Sequence, residues 1–510
     1  VVAVTTPRAG VKEWVGLGVL ALPTLLLGLD VTVLYLVLPT LAVDLTPSST
    51  QTLWIMDVYG FLIAGFLITM GTLGDRVGRR RLLMIGAAAF GAASIVAAFA
   101  DSAEMLIAAR AALGIAGATL MPSTLALIGN MFVDVRQRGL AIGVWATMFA
   151  LGMAVGPLVG GALLAHFWWG SAFLVAVPVI AVLLVSAPLV LPEYRAPRAG
   201  RIDLASVALS LAAILPTVYV VKHVAAQGFD TRVAAASVLG LACAVLFVRR
   251  QLVLESPLLD MKLFADRAFT AALSILLVGL VGVGGVMFLV TQYMQLVEGM
   301  SPTEAGLWMG PPALAMLAAA IGTPLVARRV RPGTTMVATL AVSAVGYILL
   351  AGLNPGEAVT AVVGFALVYL GLGAIAALGT DIVVGAAPPR KAGSAAAMSE
   401  MMQELGVAAG VALLGSLTTA LYRTQIDERI VEPLPPDTAA TVHDSLSAAV
   451  SARGQVPDAV IQDAAAAFTA GLNVAAVVAG TAIVAVAVFA AVSLRHVQPI
   501  GAGRGDDHGP

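Results

Sequence analysis

The sequence predicts an all-α integral membrane protein, a bundle of fourteen transmembrane helices. Three observations carry this. Of 510 residues, 60% are hydrophobic and 11% charged, against about 25% charged in soluble domains, and the mean hydropathy is +0.97. Apolar runs near the length of about 20 residues that a spanning helix needs recur along the chain, and they are continuous rather than alternating. The basic residues then segregate to one side of the loops that these runs define.

In order, the runs lie near 14–38, 51–72, 81–100, 104–129, 139–164, 170–191, 203–222, 232–248, 268–292, 304–327, 334–352, 358–386, 395–421 and 467–494. The first follows Arg8 and Lys12 and is too long for the apolar core of a signal peptide, so it is expected to be retained. An even count puts both termini on one side. With the N-terminus inside, 22 of the 28 Lys and Arg fall in inner segments, five in outer segments, and one, Arg110, inside a span. A miscount by one helix would swap the sides of every later loop and erase that imbalance. The one cysteine, Cys243, sits in an apolar run, which leaves no internal disulfide and suggests no metal site. The one long loop, 422–466, is outer, acidic and punctuated by Pro433, Pro435, Pro436 and Pro457; it reads as a solvated hairpin, with 438–452 able to form a short amphipathic helix. The polar tail 501–510 is expected to be disordered.

Three elements stand out. The loop between the second and third spans reads G-T-L-G-D-R-V-G-R-R, Gly71 to Arg80. Gly71, Gly74 and Gly78 permit a tight turn and close helix approach, Asp75 can pair with an arginine or cap a helix, and Arg76, Arg79 and Arg80 form a cationic cluster. Those arginines alone read as a positive-inside anchor; the whole arrangement is more specific. The fourth span carries Arg110, which at about 2.5–3.5 kcal/mol or more persists in a membrane only beside a carboxylate, a carbonyl or water. The fifth carries G-M-A-V-G-P-L-V-G-G, Gly152 to Gly161. Gly152, Gly156 and Gly160 share a face suited to close contact, Gly161 follows, and Pro157 kinks the helix.

Five acids lie within spans: Asp30, Asp57, Asp381, Glu400 and Glu404. Such groups are too costly to be kept for packing. Glu400 and Glu404, four residues apart, share a helix face. Asp57 is spaced to lie near Trp54 and Phe61, and an acid beside an aromatic ring suits a lipophilic cation. One carboxylate can hold a proton or a cation but hardly both, which is the physical basis of antiport. Asp57, Glu400, Glu404 and Trp54 are therefore candidates for cation recognition. Asp381, near a span end, is a lesser candidate for either role. Met148, Phe149, Phe288, Gln292 and Trp308 are further candidates for a cavity wall, although each type more often simply packs.

The 71–80 loop, Arg110 and the 152–161 element together resemble the signature motifs of the major facilitator superfamily, and the last resembles the motif of its antiporters. Fourteen spans, with I-M-D-V-Y at 55–59 and M-S-E-M-M-Q-E-L-G at 398–406, are similar to its drug:proton antiporter branch, which includes bacterial multidrug and quaternary-ammonium efflux pumps. Two departures are visible: W-W-G-S-A-F at 168–173 lacks the arginine common there, and the second-half echo of the 71–80 loop lacks an acid. The resemblance implies a six-helix bundle over 1–200, an inserted helix pair over 201–265 and a second six-helix bundle over 266–500. It further implies proton coupling through Asp30 and Arg110, and gating by the 71–80 loop and the glycine face of the fifth span.

The expected function is proton-driven export of lipophilic cations from the bacterial cytoplasm by alternating access. Protons serve as the coupling ion, with no other cofactor, no nucleic-acid partner and a monomeric state. The rivals are an exporter of a neutral or anionic antibiotic, a nutrient importer, which the antiporter-type motif disfavours, and a membrane receptor or scaffold, for which no loop is large enough to form a domain. An ATP-driven pump would need a G-x-x-x-x-G-K-[ST] loop, and none occurs.

Overall fold

A computed structural model describes residues 9–497 except 196–202, 228, 255–256, 258–260, 328, 388–391, 430–434, 453 and 455. The regular elements among the described residues are helices. They begin with α1 (Val11–Leu45), α2 (Ser49–Val77), α3 (Arg79–Ala98), α4 (Ala103–Met131), α5 (Val135–His166), α6 (Ser171–Leu174), α7 (Ala176–Val190), α8 (Leu204–Gln227) and α9 (Thr231–Val253). They continue with α10 (Arg267–Gln292), α11 (Pro302–Trp308), α12 (Gly310–Val326), α13 (Pro332–Ala351), α14 (Ala358–Ala386), α15 (Ala392–Arg429), α16 (Pro436–Asp444), α17 (Leu446–Ser451) and α18 (Asp458–Ser493).

Thirteen segments among the described residues are long and apolar enough to cross a membrane, with α6–α7 and α11–α12 each counted as one broken span. The remaining predicted span, 203–222, corresponds to α8, whose described residues include the apolar stretch Leu204–Thr217. Two expectations change. Helices α15 and α18 run beyond the apolar runs 395–421 and 467–494, α15 at both ends and α18 at its start, because polar residues there continue the helix. The stretch 438–452 is two short helices, α16 and α17, broken where Ser445 caps the second by accepting from the Ala448 amide. The tail 501–510 and the side chain of Asp75 lie outside the described residues, as do Arg198, Arg201, Arg390 and Lys391.

Two groups of helices pack by the same rule. In the first, α1 lies against α5 through small residues on both. A Cβ on Gly28 would stand 2.2 Å from the Phe149 carbonyl oxygen, and one on Gly152 would stand 2.1 Å from that of Leu25. In the second, α10 lies against α15 in the same manner: a Cβ on Gly284 would meet the Val407 oxygen at 2.6 Å, and one on Gly410 the Val281 oxygen at 2.2 Å. The pairing of α2 with α4 through Gly114 is matched by that of α12 with α14 through Gly373. In lipid, helix association rests on such close backbone approach. Gly152→Ala is therefore expected to cost about 1–3 kcal/mol, as overpacking does, whereas Gly160→Ala should cost little, since its Cβ would meet Val33 at ordinary contact distances, the nearest atom, Cγ1, at 3.4 Å. Thermal unfolding of the detergent-solubilised protein reads both.

Helices α8 and α9 form a hairpin set over the contact of α2 with α15. Leu211 comes so near Gly65 that a Cβ there would stand 2.6 Å from Cδ2. At one end Arg250 donates from Nε and Nη2 to the two oxygens of Asp203, at 2.5 and 2.8 Å. The guanidinium holds the Asp203 carboxyl down at about 2, so this pair stays charged at any pH a cell meets.

Candidate functional site

The centre of the site is the pair Asp30–Arg110. Gly114, one turn beyond Arg110, lets α4 approach α2 so closely that its Cβ would stand 2.6 Å from the Tyr59 carbonyl oxygen. That approach places the guanidinium against α2: Nε donates to the Ile55 carbonyl at 3.2 Å, and Cζ lies 4.3 Å from the centroid of the Tyr59 ring. From α1, held by α5 on its other side, Asp30 accepts from Arg110 Nη1 through Oδ2 at 2.7 Å. Arg110 is 2% exposed and Asp30 11%. A carboxylate, a carbonyl and an aromatic face together offset the cost of burying the cation.

The second bundle brings its acids toward this pair. Glu404 is buried on α15, where α15 crosses α2; a Cβ on Gly60 of α2 would meet Ala408 Cβ at 2.9 Å and the Glu404 carbonyl oxygen at 3.7 Å. Glu404 lies within electrostatic reach of Asp30 and Glu400. Glu400, one turn away, is half-buried. Asp57 is fully buried on α2. Two tyrosines tie these groups together. Tyr59 stands within electrostatic reach of Asp30, Arg110 and Glu404, and Tyr35 within reach of Asp57, Arg110 and Glu404. Three carboxylates, one guanidinium and two phenols thus gather where the bundles meet.

Other candidates fall elsewhere. Asp381 is exposed, five residues before the end of α14. Trp54 joins Phe61, Ala408, Ala412, Leu405 and Ile214 in an apolar group at the contact of α2, α15 and α8, and Tyr35 and Tyr59 are further aromatic groups in reach of the acids. Trp308 is 38% exposed and contributes no buried wall. Phe288 lies 6.2 Å from Tyr35, ring centroid to centroid, and Gln292 donates to the Tyr35 carbonyl at 3.4 Å, a direct link between α10 and α1. Met148 and Phe149 are half-buried, and the Phe149 carbonyl is where α5 meets Gly28.

The 71–80 loop is held by a residue that the sequence does not single out. Gly78 turns the chain from α2 to α3 at φ 116°, where a glycine is needed. A Cβ there would also stand 2.5 Å from Glu193 Oε1. Glu193, past α7, accepts from the Arg80 amide at 3.2 Å and pairs with the guanidinium groups of Arg80 and Arg81 at 3.7 and 3.8 Å. Arg80 also donates to the Leu191 carbonyl at 2.8 Å, and Arg79 to that of Pro122 at 3.4 Å. Gly74 packs against the Arg79 side chain, Gly71 near Pro122, and Arg76 is exposed. An acid in a loop looks like any other in sequence; only the fold shows that this one closes the arginine cluster onto α7.

At the opposite end of the bundle the two halves are joined twice. Gly161 and Pro157 of α5 receive α11: Thr303 Oγ1 donates to the Gly161 carbonyl at 2.7 Å, and a Cβ on Gly306 would stand 2.4 Å from the Pro157 oxygen. Gly156 instead packs on α1, with its Cβ position 1.9 Å from Thr32 Oγ1. At the start of α2, Asp444 of α16 accepts from the Ser49 amide and hydroxyl, both at 3.2 Å. Arg423 of α15 donates to that hydroxyl at 2.9 Å and to Asp444 at 3.2 Å. A carboxylate at a helix N-terminus is favourably placed.

Residues 20–411 match the family model described as Major Facilitator Superfamily. The chain is 42% identical over 496 residues to the multidrug efflux pump LfrA of Mycolicibacterium smegmatis, covering 96% of this chain and 98% of that one. It is 34% identical to the methyl viologen resistance protein SmvA of Salmonella typhimurium, covering 96% and 99%. Among solved structures, a bacterial homologue of the human lysosomal transporter Spinster, inward-facing and unoccupied, shares the fold at a TM-score of 0.67 and 17% identity, covering 96% of this chain and 98% of that one.

Proposed function

Because the chain belongs to the Major Facilitator Superfamily, we propose that this multi-pass membrane transporter exports lipophilic cations across the bacterial cytoplasmic membrane in exchange for protons. It is a transporter and not an enzyme. The observation that carries the reading is the burial of Asp57 and Glu404, with Glu404 in electrostatic reach of Asp30 of the Asp30–Arg110 pair and both acids in reach of Tyr35. Relatives named for multidrug efflux and for resistance to methyl viologen, a quaternary dication, support the cargo class.

Desolvation favours the neutral form of a carboxyl group, and a neighbouring cation favours the charged form. A proton on Asp30 removes the charge that holds Arg110, which loosens α1 from α4. A cation entering beside Glu404 and Asp57 displaces protons held there. Each ligand thus favours a different arrangement of the bundles, as a change of conformation by binding requires. One proton exchanged for one monovalent cation moves no net charge. A second proton would add about 2.3 kcal/mol per 100 mV, and the number of buried acids permits it.

With the arginine-rich end inside, the 71–80 loop and Glu193 latch the inner face, and the contacts of Ser49, Asp444 and Arg423 close the outer one. Alternating access requires those outer contacts to part. In a Cys243→Ser background, Ser49→Cys with Asp444→Cys joined by a short reducible thiol crosslinker should lose transport and regain it on reduction. Transport that continues while the crosslink is intact would mean this end does not open.

The reading is tested by ethidium efflux in everted vesicles under an imposed pH gradient. Efflux should follow the gradient and fail in Asp57→Asn. An exporter of a neutral or anionic compound that uses its acids only for protons would keep carrying its own substrate in that variant. Efflux indifferent to the gradient would remove the exchange mechanism.

A further inference from the structure

Helices α8 and α9 stand between the two bundles in the chain, and they are built as one piece. At the inner end, beside the Arg250–Asp203 pair, Gln251 donates from Nε2 to Ser206 Oγ at 2.7 Å, and both residues are buried. At the outer end Asp230 caps α9 by accepting from the Val233 amide at 2.8 Å, and its other oxygen lies 3.1 Å from His223 Nε2. The His223 ring packs on Tyr219, with centroids 5.2 Å apart. Between these ties Gly240 brings α9 onto α8, where a Cβ would stand 3.3 Å from the Ala213 carbonyl oxygen. Helices tied at both ends and packed between them move together.

The piece has two faces. On α9, Val238, Leu241 and Val245 are exposed and apolar, a surface for acyl chains. On the other side α8 lies on both α2 and α15. Leu211 meets Gly65 of α2, and Ile214 joins Phe61 of α2 with Ala408 and Ala412 of α15. The bundles meet along two seams. One joins α2 to α15, and these helices carry the buried acids Asp57 and Glu404. The other joins α5 to α11 and α12, and α5 and α12 hold no acidic residue. The hairpin covers the seam that has the acids. Bodies that move against each other open gaps between them, and lipid fills any gap that it faces. In this seam a gap would lead to carboxylates.

We infer that α8–α9 is a lateral seal, which bars lipid and any lipophilic cation dissolved in it from reaching Asp57 and Glu404 through the α2–α15 seam. Exchange requires that cargo meet these acids only from the side the bundles expose. A cation that returned from the bilayer through the seam would bind without a change of conformation and run down the gradient. That consequence rests on the cation-export reading; the exclusion of lipid stands apart from it.

Lipid exclusion is read by photolabelling. The full chain is reconstituted with a phospholipid bearing a diazirine near the end of its acyl chain, and adducts are mapped by peptide mass spectrometry. In wild type, adducts should fall on α9 and be absent from residues 57–65 of α2. In Leu211→Ala combined with Ile214→Ala, which keeps both helices and thins their contact with the seam, adducts should appear on 57–65. The consequence is read with hexyltriphenylphosphonium and methyltriphenylphosphonium, which share a cationic head and differ in how strongly they partition into lipid. Under the same imposed pH gradient, the double variant should hold a gradient of the hexyl compound about tenfold smaller than wild type, the equivalent of about 1.4 kcal/mol, and one of the methyl compound within about twofold. Adducts on 57–65 in wild type, labelling that the variant leaves unchanged, or equal losses for the two cations would overturn the seal. A wild type that carries neither cation while 57–65 stays unlabelled contradicts the export reading and leaves the exclusion of lipid standing. Should the variant fail to reach the membrane, the wild-type labelling decides the matter.

Discussion

Asp30→Asn is expected to abolish uphill efflux, lowering the rate at least about 100-fold, or about 2.7 kcal/mol in the barrier. Its carboxylate is the anionic partner that Arg110 contacts at 2.7 Å, and Arg110 is 2% exposed. Removing one member of a buried pair leaves the other uncompensated, at about 3–5 kcal/mol. Part of the loss could therefore come from reduced folding, and a second variant separates the two effects. Asp30→Asn combined with Arg110→Gln removes both charges and should recover much of the stability without recovering transport. Efflux in vesicles, scaled to the amount of folded protein in the membrane, measures both. Should the double variant transport, the pair is a structural tie and not the coupling element.

The second large effect is expected at Glu404. Glu404→Gln keeps the shape of the side chain and hence the close packing of α15 on Gly60 of α2. It removes a charge from a site that is buried and within electrostatic reach of Asp30. Truncating one partner of a buried charge pair at a binding site costs about 2–5 kcal/mol. The affinity for ethidium should therefore fall at least about 30-fold, or about 2 kcal/mol. Glu400→Gln should cost less, because Glu400 is only half-buried. Ethidium fluorescence titration of the solubilised protein gives both affinities. Equal, small effects at the two positions would show that α15 does not hold the cationic centre.

Much of this molecule can be read before it is folded. The spans follow from continuous apolar runs, and the arginine in the fourth demands a partner because lipid offers none. What cannot be read is which side chain answers across space. Glu193 lies over a hundred residues from the arginines that it closes, in a loop whose acids all look alike. Tyr35 and Tyr59 reach the acids from positions that an apolar helix pattern treats as ordinary packing. The hydrogen bond from Tyr369 to the sulfur of Met287 joins positions 82 residues apart, and neither residue type announces it. Helix ends are missed where polar residues extend α15 at both ends and α18 at its start.

Exchange depends on competition between protons and cargo for the same buried carboxylates. The most direct measurement is proton release from the solubilised protein in unbuffered solution near neutral pH, followed with a pH indicator as ethidium is added. Wild type should release protons in proportion to ethidium bound, with the release diminished in Glu404→Gln and in Asp57→Asn. Ethidium that binds to wild type without releasing protons would contradict the exchange.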